Sequence, residues 1–287
     1  MIYRALYEEG KNLLMQADIE DAAWDARLLL EHVCHTNRND LLVHGDREVA
    51  EADQEKYLEL IAERAKHIPL QHLTGVCGFM GLEFLVNEHV LIPRPDTEIL
   101  VEEALKYVHD GFRILDMCTG SGCILLSLLQ YSNDCMGVGA DLSEKALETA
   151  RKNGERLSEG GPLDGRIKPE NLCFVHSDLF ENIEGKFEII VSNPPYIQSE
   201  VIEGLMDEVK DHEPRMALDG GNDGLDFYRK IIQDSRAHLC GGGMLFFEIG
   251  YDQREDVSRL MEEAGFVSVT AVKDFAGLDR VVYGTKM

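Results

Sequence analysis

Hydrophobic positions change their spacing along the chain, and each change marks a different kind of element. Up to about residue 70 they recur at helical intervals: Leu6, Leu13 and Leu14, then Ala26, Leu29, Leu30 and Val33. Stripes of this kind predict helices that each bury one face in a small bundle. Asp21 stands where an N-cap would open the second helix, and 51–67 predicts a third long helix closed by Pro69. Trp24, the only tryptophan, is expected in the core of this bundle. From 71 to 92 the pattern breaks into short apolar runs punctuated by Gly75, Gly78 and Gly81, which predicts a β-hairpin. Pro93 and Pro95 follow, and Asp96 is placed to cap a helix over 97–109.

Beyond Gly111, runs of strand type alternate with amphipathic ones. Strands are expected at 113–117, 135–140, 172–176, 187–191, 244–249, 267–272 and 280–283. Helices are expected at 122–130, 144–157, 225–238 and 253–264. The alternation predicts an α/β fold, a mostly parallel sheet covered by helices on both faces. The stretch 158–170, SEGGPLDGRIKPE, reads as a polar surface insertion. The domain organisation expected is therefore 1–70 helical, 71–92 a linking hairpin and 93–287 the α/β domain.

Composition narrows the class. With 44% hydrophobic and 28% charged residues, the chain has the make-up of an ordinary soluble protein. No apolar run approaches the ~20 residues of a membrane span, and the N-terminus lacks a signal-peptide core, so a cytoplasmic address with no membrane partner is expected. Seven cysteines without a CxxC pair predict reduced, mostly buried thiols, and the scattered histidines predict no metal site. A net charge of −25 argues against nucleic acid as the main partner.

The candidate chemistry lies at the ends of four strands, where open α/β sheets bind their ligands. The first ends in DMCTGSG, Asp116 to Gly122. Gly120 and Gly122 allow a tight turn and close backbone approach to a ligand. The second ends in Asp141, an acid placed either to accept both hydroxyls of a ribose or to cap the helix that follows, a role Ser143 could also fill. The third ends in HSDLF, where Asp178 could accept from an adenine amino group while Leu179 and Phe180 sandwich the base. The fourth runs EIIVSNPPYIQ. There the Asn193 side-chain carbonyl and the Pro194 backbone carbonyl can hold both N–H groups of a planar NH₂, with Tyr196 over its face. Such a grip points the nitrogen lone pair at an electrophile, and a methyl on a sulfonium is one.

Taken together, DMCTGSG, Asp141, SDLF and NPPY resemble the class I methyltransferases that use S-adenosylmethionine. NPPY is typical of those acting on planar nitrogens. IPRPDTEIL (92–100), PLQHLTG (69–75) and HEPRMALDGGNDGLDFYRKI (212–231) are similar to the release-factor glutamine methyltransferases, so the resemblance covers nearly the whole chain. It implies a seven-stranded Rossmann-like sheet with a small N-terminal helical domain and a linking β-hairpin. It implies cofactor contacts from Cys118, Thr119, Gly120, Ser121, Gly122, Asp141, Leu179 and Asn193, beside Asp178 from the reading above. It places the substrate glutamine of a Gly-Gly-Gln loop against Asn193, Pro194, Pro195 and Tyr196, with Arg94 and Glu98 lining the same pocket or forming a capped helix start. The product would be N(5)-methylglutamine, with S-adenosylhomocysteine released. The partner would be a class 1 peptide chain release factor, gripped elsewhere by the N-terminal domain of a monomeric enzyme. One position departs: Cys118 stands where the family usually has glycine. A cysteine there costs little if its φ is negative.

Three rivals carry different signatures. A DNA or RNA amino methyltransferase shares NPPY but needs a basic recognition face, whereas residues 1–70 hold eight basic and fifteen acidic residues. A nicotinamide-dependent dehydrogenase would need a GxGxxG register that is absent. A non-catalytic ribosome-associated module would have no use for an intact NPPY.

Overall fold

The computed structural model describes residues 1–158 and 169–287, so most of the 158–170 insertion lies outside the described residues. Two compact units emerge: residues 1–76 with 206–212, and residues 77–205 with 213–287.

The first unit is helical: α1 (Tyr3–Gln16), α2 (Ala22–Cys34), α3 (Arg38–Val43), α4 (Glu51–Arg64) and α5 (Leu70–Thr74). Leu6, Leu14, Leu29, Leu30, Tyr57 and Ile61 form its core. The stripe of α2 is Ala22, Ala26, Leu29, Leu30 and Val33, and it is buried. Trp24 lies off that stripe. Contrary to the sequence expectation it is 56% exposed, with the Arg27 guanidinium over its ring at 4.4 Å. Asp21 occupies the N-cap of α2 but makes no side-chain capping bond. Buried Arg64 donates to Asp25 at 2.7 Å and to Glu208 at 2.5 Å, which ties the 206–212 segment to this unit.

The second unit opens on the hairpin β1 (Val76–Phe79) and β2 (Leu82–Leu85), which is shorter than expected because 70–74 is helical. Asp96 caps no α-helix: Pro95–Thr97 is a 3-10 turn, α6 runs only over Glu98–Leu105, and Asp96 pairs with Arg280 at 3.3 Å. Then come β3 (Arg113–Met117), α7 (Cys123–Gln130), β4 (Met136–Asp141), α8 (Glu144–Ser158), β5 (Leu172–His176) and β6 (Phe187–Ser192). The chain passes through the short α9 (Asp207–Lys210), which belongs to the first unit, and then forms α10 (Asp226–His238), β7 (Leu239–Glu248), α11 (Arg254–Glu263), β8 (Phe266–Lys273) and β9 (Asp279–Lys286) of the second.

The seven sheet strands run in the order β5-β4-β3-β6-β7-β9-β8; the first five are mutually parallel, and β9 alone runs against them, antiparallel to both β7 and β8. Strand order therefore reverses between β3 and β6, the crevice where open α/β sheets take their ligands. Helix α7, CILLSLLQ, is buried from Cys123 through Leu129. An apolar helix of that kind must lie inside the unit, and it holds the loop ahead of it against the sheet.

Candidate active site

The loop from β3 to α7 is shaped by its own backbone. Gly120 (φ 55°), Gly122 (φ 81°) and Cys118 (φ 62°) all lie in the left-handed region. A Cβ on Gly120 would meet nothing within 4 Å, so this position leaves an open cradle. Asp116, fully buried at the end of β3, accepts from the Thr119 hydroxyl at 2.6 Å and from the Leu125 N–H at 3.3 Å. Its other oxygen has no partner, and burial pushes the carboxyl up to about 7. From behind, Asn153 of α8 donates to the Ser121 carbonyl at 2.9 Å and pairs with the Leu85 backbone of the hairpin.

At the next strand end, Asp141 bridges two backbone donors, Gly120 N–H and Ser143 N–H, each at 2.9 Å. Ser143 caps α8 by accepting from Ala146 N–H. Asp141 is therefore not the capping side chain, and burial raises its carboxyl. Each of its oxygens keeps a lone pair for a further donor.

The corner after β6 is pinned from outside. Tyr196 C=O accepts from Gln253 at 3.0 Å. Ile197 N–H donates to Leu218 C=O at 2.9 Å, and Gly220 N–H to Ile197 C=O at 2.8 Å. A Cβ on Gly220 would lie 2.7 Å from Tyr196 Cα, and one on Gly224 would lie 2.4 Å from Tyr196 O. The LDGGNDG stretch thus packs backbone to backbone on NPPY, where a side chain would not fit. Among the described residues, the Asn193 Oδ1 and the Pro194 C=O accept no hydrogen bond, while Asn193 Nδ2 donates to Thr97 Oγ1 at 3.4 Å.

These loops enclose a cavity of ≈ 220 Å³. Of the residues expected at the site, Arg94, Cys118, Thr119, Gly120, Ser121, Asp141, Asp178, Leu179, Asn193 and Pro195 line it. Gly122, Pro194 and Tyr196 do not. Gly122 sits behind the loop against Ala150, Pro194 is buried, and Tyr196 is half-buried with its hydroxyl 3.3 Å from Glu248 Oε1. Phe180 cannot sandwich a base in this cavity, because its ring stacks on His238 at 4.8 Å within the core. Nor does Glu98 line the pocket; it accepts from Met80 N–H at 2.5 Å. Arg94 makes an ion pair with Glu213 at 2.8 Å to both oxygens. Among the described residues no group of three or more His, Cys, Asp and Glu is arranged to hold a metal, and no helix is long and apolar enough to cross a membrane.

Comparison with known proteins decides the family. Residues 5–75 match the PrmC N-terminal domain, and residues 95–211 match the methyltransferase small domain. The chain is 42% identical to a release factor glutamine methyltransferase of Clostridium acetobutylicum over 96% of this chain and 95% of that one. It is 41% identical to that of Clostridium botulinum over the full length of both. The chain belongs to the release factor glutamine methyltransferases. A methyltransferase of Pyrococcus furiosus, 19% identical with a TM-score of 0.52, shares the fold over 72% of this chain and 89% of its own.

For a release factor glutamine methyltransferase, Cys118 is costlier than expected. Its φ is positive, so the condition under which cysteine would be cheap does not hold. Burial, with Asp141 and Asp116 near, also pushes its thiol well up, which makes it a poor nucleophile. Thr97, Gly220, Gly224, Glu248 and Gln253 were not singled out from the sequence. Only Glu248 left a signal there, as a carboxylate closing the apolar run LFFEI beside the NPPY strand.

Proposed function

We propose that the protein methylates the side-chain nitrogen of the glutamine in the Gly-Gly-Gln loop of class 1 peptide chain release factors, with S-adenosylmethionine as donor. When bound, that cofactor supplies a methyl on a sulfonium sulfur, open to in-line displacement. The open cradle at Gly120 and the spare lone pairs of Asp141, both facing the cavity, fit such a ligand. The residues that would hold it are Cys118 to Ser121, Asp141, Asp178, Leu179 and Asn193, with Gly122 shaping the turn from behind.

The observation that carries the reading is the pair of acceptors left open at one corner, Asn193 Oδ1 and Pro194 C=O. They take the two N–H groups of the glutamine amide, and Pro195, Tyr196 and Arg94 flank it. The amide lone pair is delocalised and weakly nucleophilic; holding both hydrogens in place directs what remains of it at the methyl. Positioning of this kind accounts for about 7–11 kcal/mol in favourable cases. Nitrogen gains a carbon and then loses one proton to solvent, so the chain needs no strong base. In this reading residues 1–70 grip the release factor, 71–92 join the units, and 93–287 carry the transfer. The enzyme works as a cytoplasmic monomer, without metal and without contacting DNA.

The test is incubation with a release factor and isotopically labelled S-adenosylmethionine, followed by mass spectrometry of the Gly-Gly-Gln peptide. Label on that glutamine is expected, together with its loss in Asn193→Ala while circular dichroism stays unchanged. Label on DNA instead, or near-wild-type turnover by the variant, overturns the reading.

A further inference from the structure

One stretch of the cavity wall is held by an ion pair whose cation has donors left over. Arg94 and Pro214 both line the cavity, and Glu213 precedes Pro214 with its side chain only 1% exposed. Both Glu213 oxygens accept from the same nitrogen, Arg94 Nη2, each at 2.8 Å. A guanidinium carries five N–H groups. Three of them, on Nε and Nη1, therefore remain, and among the described residues they donate to nothing. The Arg94 side chain is 38% exposed, whereas the carboxylate that anchors it is shut away from solvent. Its neighbours along the wall cannot do the same work: Pro93 and Pro214 have no N–H, and Met216 and Ala217 have no side-chain donor. Among the described residues Arg94 is also the only arginine or lysine that lines the cavity.

We propose that Glu213 is a positioning residue which locks the Arg94 guanidinium, so that Nε and Nη1 donate to main-chain oxygens of the substrate loop beside the target glutamine. The inference rests on the reading that the substrate is a Gly-Gly-Gln loop. Two glycines present no side chain, so such a loop is recognised by its path and by its peptide N–H and C=O groups. A planar fork with fixed donor directions suits that task, and the single nitrogen of a lysine does not. An unheld arginine loses side-chain freedom when it binds; one gripped by a buried carboxylate has given up that freedom before the substrate arrives. The pair is neutral as a whole, which fits a neutral peptide carbonyl better than the carboxylate of S-adenosylmethionine.

The test is steady-state kinetics with a release factor, beside calorimetry of S-adenosylhomocysteine binding, on Arg94→Lys and Glu213→Gln. Lysine keeps a charge for Glu213 but lacks the spare nitrogens. A rise of about tenfold in KM for the release factor is expected, with kcat and S-adenosylhomocysteine affinity unchanged, as for a charge-assisted hydrogen bond made equally in the ground and transition states. Glutamine keeps the shape of Glu213 but gives up its charge, and should raise the same KM by about 3–10-fold. An unchanged KM for the release factor in either variant overturns the proposal. So does weaker S-adenosylhomocysteine binding in both, which would assign the guanidinium to the cofactor carboxylate. Should Glu213→Gln fail to fold, Glu213→Asp, which keeps the charge but draws it back by one methylene, takes its place with the same expectation. A wild-type enzyme that leaves the release factor unmethylated breaks the functional reading itself; an active wild type with unaffected variants breaks this inference alone.

Discussion

The glycine loop at 118–122 takes its shape from its own backbone, whereas the NPPY corner at 193–196 takes its shape from residues far along the chain. Three residues of the first loop sit in the left-handed region, and its anchor, Asp116, lies only two residues upstream of Cys118. In the second, Gly220 and Gly224 press on the Tyr196 backbone, Gln253 holds its carbonyl, and Glu248 holds its hydroxyl. One loop is conformationally strained with room around it; the other is tightly enclosed. A substitution should therefore act on the two by different physics, by lost backbone freedom in the first and by collision in the second.

The sharpest way to break this contrast is a pair of identical substitutions. Gly220→Ala places a methyl 2.7 Å from Tyr196 Cα and 2.8 Å from the Pro195 carbonyl, both backbone atoms that cannot swing aside. A cost of about 3–4 kcal/mol in unfolding free energy is expected, at the upper end for overpacking, with loss of methyl transfer. Gly120→Ala meets no atom within 4 Å and bears only the left-handed penalty, about 1 kcal/mol. Urea unfolding of the two variants checks the ranking; equal losses would mean the corner is no tighter than the loop.

This difference also explains what could be read from the sequence. Glycines and an acid at successive strand ends are local signals, so the first loop, Asp141 and the strands 113–117 and 172–176 were legible from residue type and spacing. The apolar run IIV marked β6, and NPPY marked its end. The clamp on NPPY was not legible, because Gly220, Glu248 and Gln253 come together only through the crossover from β6 to β7. No periodicity in 212–253 announces that three separate turns converge on one tyrosine. Trp24 failed for another reason: a large apolar residue was assigned to the core by type, although it falls off the stripe that Ala22, Ala26 and Val33 define. Asp96 failed because Pro95–Thr97 forms a 3-10 turn where an α-helical start was expected, whereas Glu98 took the second of its two expected places, at the start of α6.

Asp116 offers a smaller test, of how the glycine loop stores its strain. Its carboxyl is held at about 7 by burial, well above the ordinary carboxylate value of 3.8. A raised acid favours the folded state below its unfolded pKa, and that advantage is lost as pH rises through the folded pKa. The window is therefore roughly pH 4 to 7. Asp116→Asn removes the titration, keeps an oxygen for Thr119 and Leu125, and puts an NH₂ where an oxygen had no partner. Between pH 5 and pH 8 its stability should gain on wild type by roughly 2–3 kcal/mol, at about 1.4 kcal/mol per pH unit within the window. Unfolding midpoints at the two pH values measure this. A difference that does not change with pH would mean that Asp116 is already ionised in the folded protein.

The smallest expected effect comes from Cys118. A side chain at φ 62° carries a backbone penalty that glycine avoids, but glycine loses more freedom on folding, so Cys118→Gly should gain no more than about 1 kcal/mol. The ligand side should respond more clearly than stability. Cys118 lines the cavity, and its Cβ occupies space that a glycine would leave to the bound cofactor. Tighter binding of S-adenosylhomocysteine by the glycine variant, read by calorimetry, is therefore expected. Unchanged binding would place the cysteine side chain clear of the ligand and leave the left-handed backbone as its only cost. Weaker binding would mean that the sulfur is itself a contact surface, and the glycine loop would then hold its ligand by side chain as well as by backbone.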